Sequence, residues 1–350
     1  MERILASIKR IDEIRVITGA DAIECAVLGG WQVVVKKGEF VAGQLAVYTE
    51  IDSWIPTALA PFLSKGKEPR EYNGVKGERL KTIRLRGQLS QGLLLPLYSN
   101  GFIENLLSNT AGGVRYCEEG DDVTDFLGIQ KYEVVEKWMK SSQAKGSFPG
   151  FIFKTDQERI QNLKREVQQW KDQEDIWEVT EKLDGSSMTV FWHKELELSG
   201  VCSRNLELRF DADSPGAFWS VALRDNILEK LAELDKSLAI QGELIGPGIQ
   251  GNPYNLTEFQ FYVYDIFDIT KQEYLLPATR LLLCSDLGLK HVPVDPYWQT
   301  LDGVLEEQIA AADGFSMLNT STIREGLVFK NTKTQESFKV ISNNFLEKQH

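Results

Sequence analysis

The sequence predicts an α+β protein of two domains, a β-rich N-terminal half and a mixed C-terminal half. Its 350 residues are the length of about two ordinary domains, and 42% hydrophobic with 10% aromatic residues is enough to bury two cores. Residues 1–128 consist of short β-branched runs broken by glycines. Beyond residue 150, strand-like and helix-like segments mix without the regular alternation of a doubly wound parallel sheet.

In the first half the runs are Gly30–Val35, Gln44–Tyr48, Thr82–Arg86 and Gly92–Leu95, with turn signals at Lys37-Gly38 and Val41-Ala42-Gly43. Short strands with tight turns point to a small antiparallel barrel or sandwich. Residues 129–150 change to mixed charge and then to the polar stretch Ser141–Ser147, which has little to bury, so the domains are expected to divide there, as 1–135 and 136–350. Thr155-Asp156-Gln157-Glu158 fits a capping box, and Ile160, Leu163, Val167 and Trp170 follow at helical spacing, which predicts a helix opening the second domain. Strand-like runs are expected around 176–193, 197–203, 238–245, 259–268 and 325–341. Helices are expected near 215–236, where Ser214-Pro215 is a start signal, and near 301–312.

The net charge of -12 and pI near 5.0 exclude a basic coat that would hold nucleic acid by bulk charge, so any such role rests on local patches. One patch is visible. Between Lys65 and Arg86, eight basic residues stand against three acidic ones. Arg84 and Arg86 alternate with Ile83 and Leu85, which puts both arginines on one strand face where they could meet a phosphate backbone. The alternative is a solvated edge carrying protective charge.

Cys25, Cys117, Cys202 and Cys284 are too widely spaced for a zinc knuckle or a dense disulfide framework and are expected to be thiols in a reducing compartment. His193, His291 and His350 form no HExxH or paired arrangement, so chemistry is expected from Lys, Asp, Glu and Arg. The N-terminus has no signal-peptide apolar region, and no apolar run reaches the roughly 18 residues of a membrane span, so a cytoplasmic protein is expected.

The sharpest feature is Glu181-Lys182-Leu183-Asp184-Gly185-Ser186, a lysine at the end of a strand-like run with an acid two residues on and a glycine that permits a tight turn. A lysine in such a place can act as a nucleophile toward phosphorus. Taken alone, the pattern is also that of an ordinary β-turn with a solvated lysine. Its companions change this reading. Arg204 follows in Ser203-Arg204-Asn205, Glu243 in Gly242-Glu243-Leu244-Ile245-Gly246, and Phe261 in Phe261-Tyr262-Val263-Tyr264-Asp265. Glu325 and Lys330 follow in Glu325-Gly326-Leu327-Val328-Phe329-Lys330, and Lys339 in Ser337-Phe338-Lys339-Val340. Strand alternation predicts that Glu325 shares a face with Leu327 and Phe329, and that Glu243 lies with Gln241 and Ile245.

In this order the segments resemble motifs I, Ia, III, IIIa, IV and V of the covalent nucleotidyltransferases, the superfamily of ATP-dependent ligases and mRNA capping enzymes. The resemblance implies that Lys182 attacks the α-phosphate of ATP to form lysyl-AMP, with Asp184 near the ribose or a hydrated Mg2+ or Mn2+. It implies that Arg204 contacts the ribose or phosphate and the nucleic-acid end, Glu243 the ribose and the metal's water, and that Phe261 stacks on adenine. Glu325 would hold the metal's water shell, with Lys330 and Lys339 neutralising the α-phosphate. One position departs: Ser337 stands where RNA ligases commonly carry a first motif V lysine, and Lys333 is a candidate replacement.

Only 11 residues follow Lys339, too few for the C-terminal OB domain of DNA ligases and capping enzymes. A β-rich domain placed first is similar to the Naegleria-type, fifth RNA ligase family, which carries an N-terminal OB domain and seals 3′-OH/5′-phosphate nicks. The segment Lys154–Arg159 with Gln161-Asn162 also looks like the region upstream of motif I in RNA ligases that seal nicked duplexes. The expectation is therefore an N-terminal OB-like β-barrel followed by an adenylyltransferase domain, acting on nicked duplex with an RNA 3′-OH strand. Arg79, Lys81, Arg84, Arg86, Lys154 and Arg159 are the candidate nucleic-acid contacts, and no obligate protein partner or membrane is implied. The alternatives are a capping-type guanylyltransferase and a non-catalytic RNA-binding ligase-like protein.

Overall fold

The computed structural model describes residues 3–97, 117–133, 143–296, 300–301 and 303–348. His350 and the centre of the polar stretch between the halves, residues 134–142, lie outside the described residues. The chain divides into two compact units, Met1–Val135 and Glu136–His350.

In the first unit the strands are β1 (Ala6–Arg10), β2 (Glu13–Val16), β3 (Ile23–Leu28), β4 (Trp31–Lys36), β5 (Leu45–Thr49) and β6 (Ser53–Pro56). They continue as β7 (Arg70–Tyr72), β8 (Val75–Arg79), β9 (Ile83–Leu85), β10 (Gln88–Ser90), β11 (Leu93–Pro96) and β12 (Gln130–Lys131). They form the sheets β1-β5-β11, β2-β3-β4, β9-β10 and β12-β6-β8-β7, all of antiparallel pairs. Alternation along β4 buries Trp31, Val33 and Val35 against Tyr48 and Leu94, while Ile8, Val47, Ile55 and Leu95 fill a second core cluster.

The second unit holds β13 (Ala144–Ser147), β14 (Glu158–Arg159), β15 (Trp177–Lys182), β16 (Ser186–His193), β17 (Leu198–Cys202) and β18 (Leu206–Leu208). After these come β19 (Leu238–Ile245), β20 (Gln260–Asp268), β21 (Glu273–Tyr274), β22 (Gly326–Asn331) and β23 (Ser337–Ile341). Two sheets result, a seven-stranded one ordered β13-β18-β17-β16-β19-β20-β21 and a four-stranded one ordered β14-β23-β22-β15. In the large sheet one face is apolar: Met188, Val190, Leu244, Phe261 and Val263 pack with Phe218, Val221, Ile227 and Leu231 of the helices Gly216–Arg224 and Ile227–Glu233. A left-handed Asn226 (φ 50) separates these two helices where the sequence predicted one span. The small sheet likewise buries Trp177, Val179, Leu327, Phe329, Phe338 and Val340 against Val167 and Trp170 of the helix Lys164–Asp172.

That helix begins later than the capping-box reading implies. Residues 155–157 are in neither helix nor strand, and Glu158–Arg159 pair in parallel with β23. The hydroxyl of Thr155 donates to Gln241 Oε1 at 2.5 Å, so the proposed cap is spent on the large sheet rather than on helix amides.

The polar faces of the two sheets are joined by buried ion pairs. Lys330 Nζ of β22 lies 2.5 Å from Asp265 Oδ1 of β20. Arg280, on the helix Pro277–Asp286, pairs with Glu178 of β15, and both are 0% exposed. A bulge between Gln241 and Gly242 leaves Tyr264 as the extra residue of β20, since Gly242 is opposite Val263 and Gln241 opposite Asp265.

Candidate active site

The motif lysine ends β15, and Leu183-Asp184-Gly185 turns the chain directly into β16. Glycine is required at 185 for space. A Cβ there would lie 2.6 Å from both Leu244 O and Ile245 Cγ2, and 2.8 Å from Glu243 Cγ. This close approach brings the Lys182 turn against the Glu243 strand. Gly326 does the same for β22 and β23, because a Cβ there would collide with Val340 O. Cross-strand partners share a face, so Glu178, Thr180 and Lys182 lie with Lys330, Val328 and Gly326, and with Ser337, Lys339 and Ile341. Glu181 points the other way, where its Oε2 accepts the Met317 amide at 2.7 Å.

Lys182 Nζ lies 2.7 Å from Glu325 Oε1. The alternation argument fails for Glu325, which precedes β22 by one residue and is not bound to its pleat. Leu327 and Phe329 enter the core while the Glu325 carboxylate reaches Lys182. Burial acts to lower the Lys182 pKa, but Glu325, Glu243 and Asp184 together outweigh it and raise the value above the usual lysine range. Conversely, burial and then the Glu325 charge push Asp184 up to about 7. Burial, with Glu325 and Asp184 opposed by Lys182, pushes Glu243 up to about 8. Three carboxylates around one amine are thus electrostatically undercompensated. Among the described residues no group of three or more His, Cys, Asp or Glu is arranged to ligate a metal directly, so a divalent ion here would be held through its water shell.

Arg204, in the β17–β18 turn, and Lys339, on β23, converge on one carboxylate. Asp156 Oδ1 is 3.0 Å from Lys339 Nζ and its Oδ2 is 3.2 Å from Arg204 Nη2. Asp156 was not among the predicted site residues; the capping-box reading had absorbed it into a helix start.

Three predicted roles are corrected by the geometry. Phe261 is 3% exposed in the apolar cluster beneath the large sheet, opposite Leu244, and no nucleotide can reach its ring. The aromatic residues on the polar face are its neighbours: Tyr262 stands opposite Glu243, and the Tyr264 hydroxyl lies 3.0 Å from Ser187 Oγ. Lys330 is no phosphate-facing lysine, because its Nζ donates to Asp265 Oδ1 and to Tyr264 O, both at 2.5 Å. Burial, reinforced by Arg280, draws its pKa down to about 8 despite Asp265. Lys330, not the exposed Lys333, is the cross-strand partner of Ser337. Arg159 is 4% exposed, too deeply buried to contact nucleic acid.

The other candidate nucleic-acid residues differ in availability. Arg79 is engaged with Asp52 at 2.6 Å and lies over the Tyr132 ring at 5.0 Å. Lys154 Nζ donates to Asn205 Oδ1 at 2.9 Å. Lys81 is half-buried between β8 and β9. Arg84 is exposed on β9, but Arg86 lies beyond the strand, in the turn to β10 with φ 52, and Ile83 and Leu85 are themselves exposed. The two arginines therefore ride a projecting hairpin rather than one face of a covered strand.

Residues 175–341 match the RNA ligase family model and residues 5–97 match an OB-fold domain. The chain belongs to the RNA ligase family. Its likeness to Naegleria gruberi RNA ligase runs the full length. A lysine-to-methionine variant of that enzyme with AMP and Mn is 45% identical, with a TM-score of 0.89 over 99% of each chain. A lysine-to-alanine variant with ATP and Mn is 45% identical, with a TM-score of 0.88 over 99% of each chain. The same enzyme with PPi is 46% identical, again with a TM-score of 0.88 over 99% of each chain. No curated protein matches the chain.

Proposed function

We propose that this RNA ligase consumes ATP and seals 3′-OH/5′-phosphate nicks in duplexes with an RNA 3′-OH strand through a lysyl-AMP intermediate on Lys182. The observation that carries the reading is the placement of Lys182 Nζ, 2.7 Å from Glu325 and within the field of Glu243 and Asp184, on facing sheets. In the first step the Lys182 amine attacks the α-phosphorus, a P–N bond forms, the bond to pyrophosphate breaks, and the amine loses its proton. AMP then passes to the RNA 5′-phosphate and frees the lysine. Attack by the 3′-OH finally makes the phosphodiester and releases AMP.

An amine held above its ordinary pKa is a poor nucleophile. Asp184, Glu243 and Glu325 are the carboxylates that would hold a divalent cation, which would supply positive charge to offset their hold on the Lys182 proton and to neutralise the triphosphate. Lys339 and Arg204 carry the cationic side of the pocket. Tyr262 and Tyr264, packed with Leu183, Ile245, Tyr254 and Val292, offer the base an aromatic and apolar wall in place of Phe261. Arg84 and Arg86 of the hairpin provide phosphate contacts in the duplex. The setting this implies is RNA repair in the cytoplasm, and no helix among the described residues is long and apolar enough to cross a membrane.

The test is incubation with ATP labelled at the α-phosphate and Mg2+ or Mn2+, followed by a denaturing gel. Label on the wild type that is acid-labile and absent from Lys182→Ala is the expected outcome. An unlabelled wild type, or equal label on both proteins, refutes the reading, and preferential labelling by GTP would establish a capping-type guanylyltransferase instead.

A further inference from the structure

We infer that the Asp156 carboxylate is a built-in stand-in for the nucleotide's phosphate, occupying the two cations of the pocket until AMP or ATP displaces it. The inference rests on the proposed function only in taking Lys339 and Arg204 as phosphate-binding groups. Its basis is a single carboxylate shared by two cations from different sheets, one oxygen to each, at 3.0 Å from Lys339 and 3.2 Å from Arg204. This is the arrangement with which two cations grip one phosphate, each taking a separate oxygen. The segment that brings Asp156 there is tied down next door by Thr155, whose hydroxyl lies 2.5 Å from Gln241 and 3.2 Å from Asp265. The aspartate is thus placed by its neighbours rather than swept in by a flexible loop.

A displaced carboxylate also has somewhere to go. Asp156 lines a cavity of about 130 Å3 whose wall includes Arg280, Lys330 and Asn331. Among the described residues the buried donors Arg280 Nη1 and Asn331 Nδ2 of this wall make no hydrogen bond, although Arg280 Nη1 lies 3.7 Å from Asp265 Oδ1. Such donors favour an arriving oxyanion. Asp156 is therefore a two-position group. It faces Lys339 and Arg204 before the nucleotide binds, keeping two long cationic side chains ordered and sparing them mutual repulsion. It turns toward the cavity when a phosphate takes its place.

A competing anion and a merely structural brace predict opposite signs. The experiment compares the binding of AMP and of adenosine to wild-type protein and to Asp156→Asn, each first freed of covalent AMP with pyrophosphate. The ratio of the two dissociation constants isolates the phosphate. If Asp156 competes with it, Asp156→Asn binds AMP more tightly by roughly three- to ten-fold, the scale of two partly exposed ion pairs, with adenosine affinity unchanged. Asp156→Glu, which keeps the charge, restores weak AMP binding. Weaker AMP binding in Asp156→Asn, an equal change for AMP and adenosine, or no change at all would overturn the inference. Loss of the lysyl-AMP label in the wild type is a separate result, and it removes the proposed reaction without touching this comparison.

Discussion

Lowering the pH should draw stability from the second unit through His291. Its ring is locked in the neutral state by two hydrogen bonds: Arg280 Nε, which can only donate, lies 3.0 Å from Nε2, and Nδ1 lies 2.7 Å from Val292 O. Burial, together with the charges of Arg280 and Lys330, pushes its pKa down to about 3. A folded value below the unfolded value of about 6.5 means that, as the pH falls, the unfolded chain takes up a proton the folded chain refuses. The stability is complete above about 6.5 and drains away toward 3. Each pH unit is worth about 1.4 kcal/mol, so about 2 kcal/mol is lost between pH 7 and pH 5. Asp184 and Glu243 act in the opposite sense, because their folded pKa values are raised, so the wild type alone does not isolate the effect. Urea unfolding of metal-free wild type and His291→Gln at pH 7 and pH 5 does. The wild type should lose about 2 kcal/mol more than the variant over this interval. Equal losses, or an imidazole that titrates near 6.5 in the folded protein, would show that the Arg280 hydrogen bond does not hold the ring neutral.

Three further outcomes follow from the site and the hairpin. Phe261→Leu should cost about 1–2 kcal/mol of stability and leave the KM for ATP in lysyl-AMP formation unchanged. Tyr262→Leu or Tyr264→Leu should raise that KM about five-fold or more, the worth of a lost base stack, and steady-state labelling kinetics with unfolding curves separate the two patterns. Replacing Arg84 and Arg86 together by alanine should weaken nick binding and flatten its salt dependence by about two in the log–log slope, with lysyl-AMP formation intact. Gel-shift titrations across a salt series decide this, and an unchanged slope would remove the hairpin from the RNA contact.

Much of the architecture was legible because it rests on local pattern. The run 238–245 is β19 to the residue, and the motif order along the chain anticipated that Glu325, Glu243 and Asp184 would gather at Lys182. What sequence reasoning missed depends on which way a strand faces once it is interrupted. Phe261 and Tyr262 are equally good aromatic candidates until the pairing of β19 with β20 assigns one to the core and the other to the polar face. Glu325 was given the face of Leu327 by a periodicity that begins only at the next residue. Asp156 and the buried set Glu178, Asp265, Arg280 and Lys330 owe their roles to contacts between distant segments. The one advance signal was charge inside otherwise apolar strand runs, as at Asp265 within Phe261–Phe267.

The bulge in β20 has a consequence for how two sites can share a single strand. Side chains on regular strands are sorted by parity, so with Gly242 opposite Val263 an uninterrupted ladder would set Asp265 opposite Ile240, on the apolar side. The aspartate would then be sunk in hydrocarbon, and Tyr264 would take its place opposite Gln241. One supernumerary tyrosine shifts the phase. Glu243 and Tyr262 upstream and Gln241 and Asp265 downstream thereby look into the same cleft. The extra residue works as a phase-shifter, coupling the nucleotide end of the strand to the electrostatic staple between the sheets, and pairing all of β20 residue for residue, with Tyr264 taken into the ladder, would uncouple them.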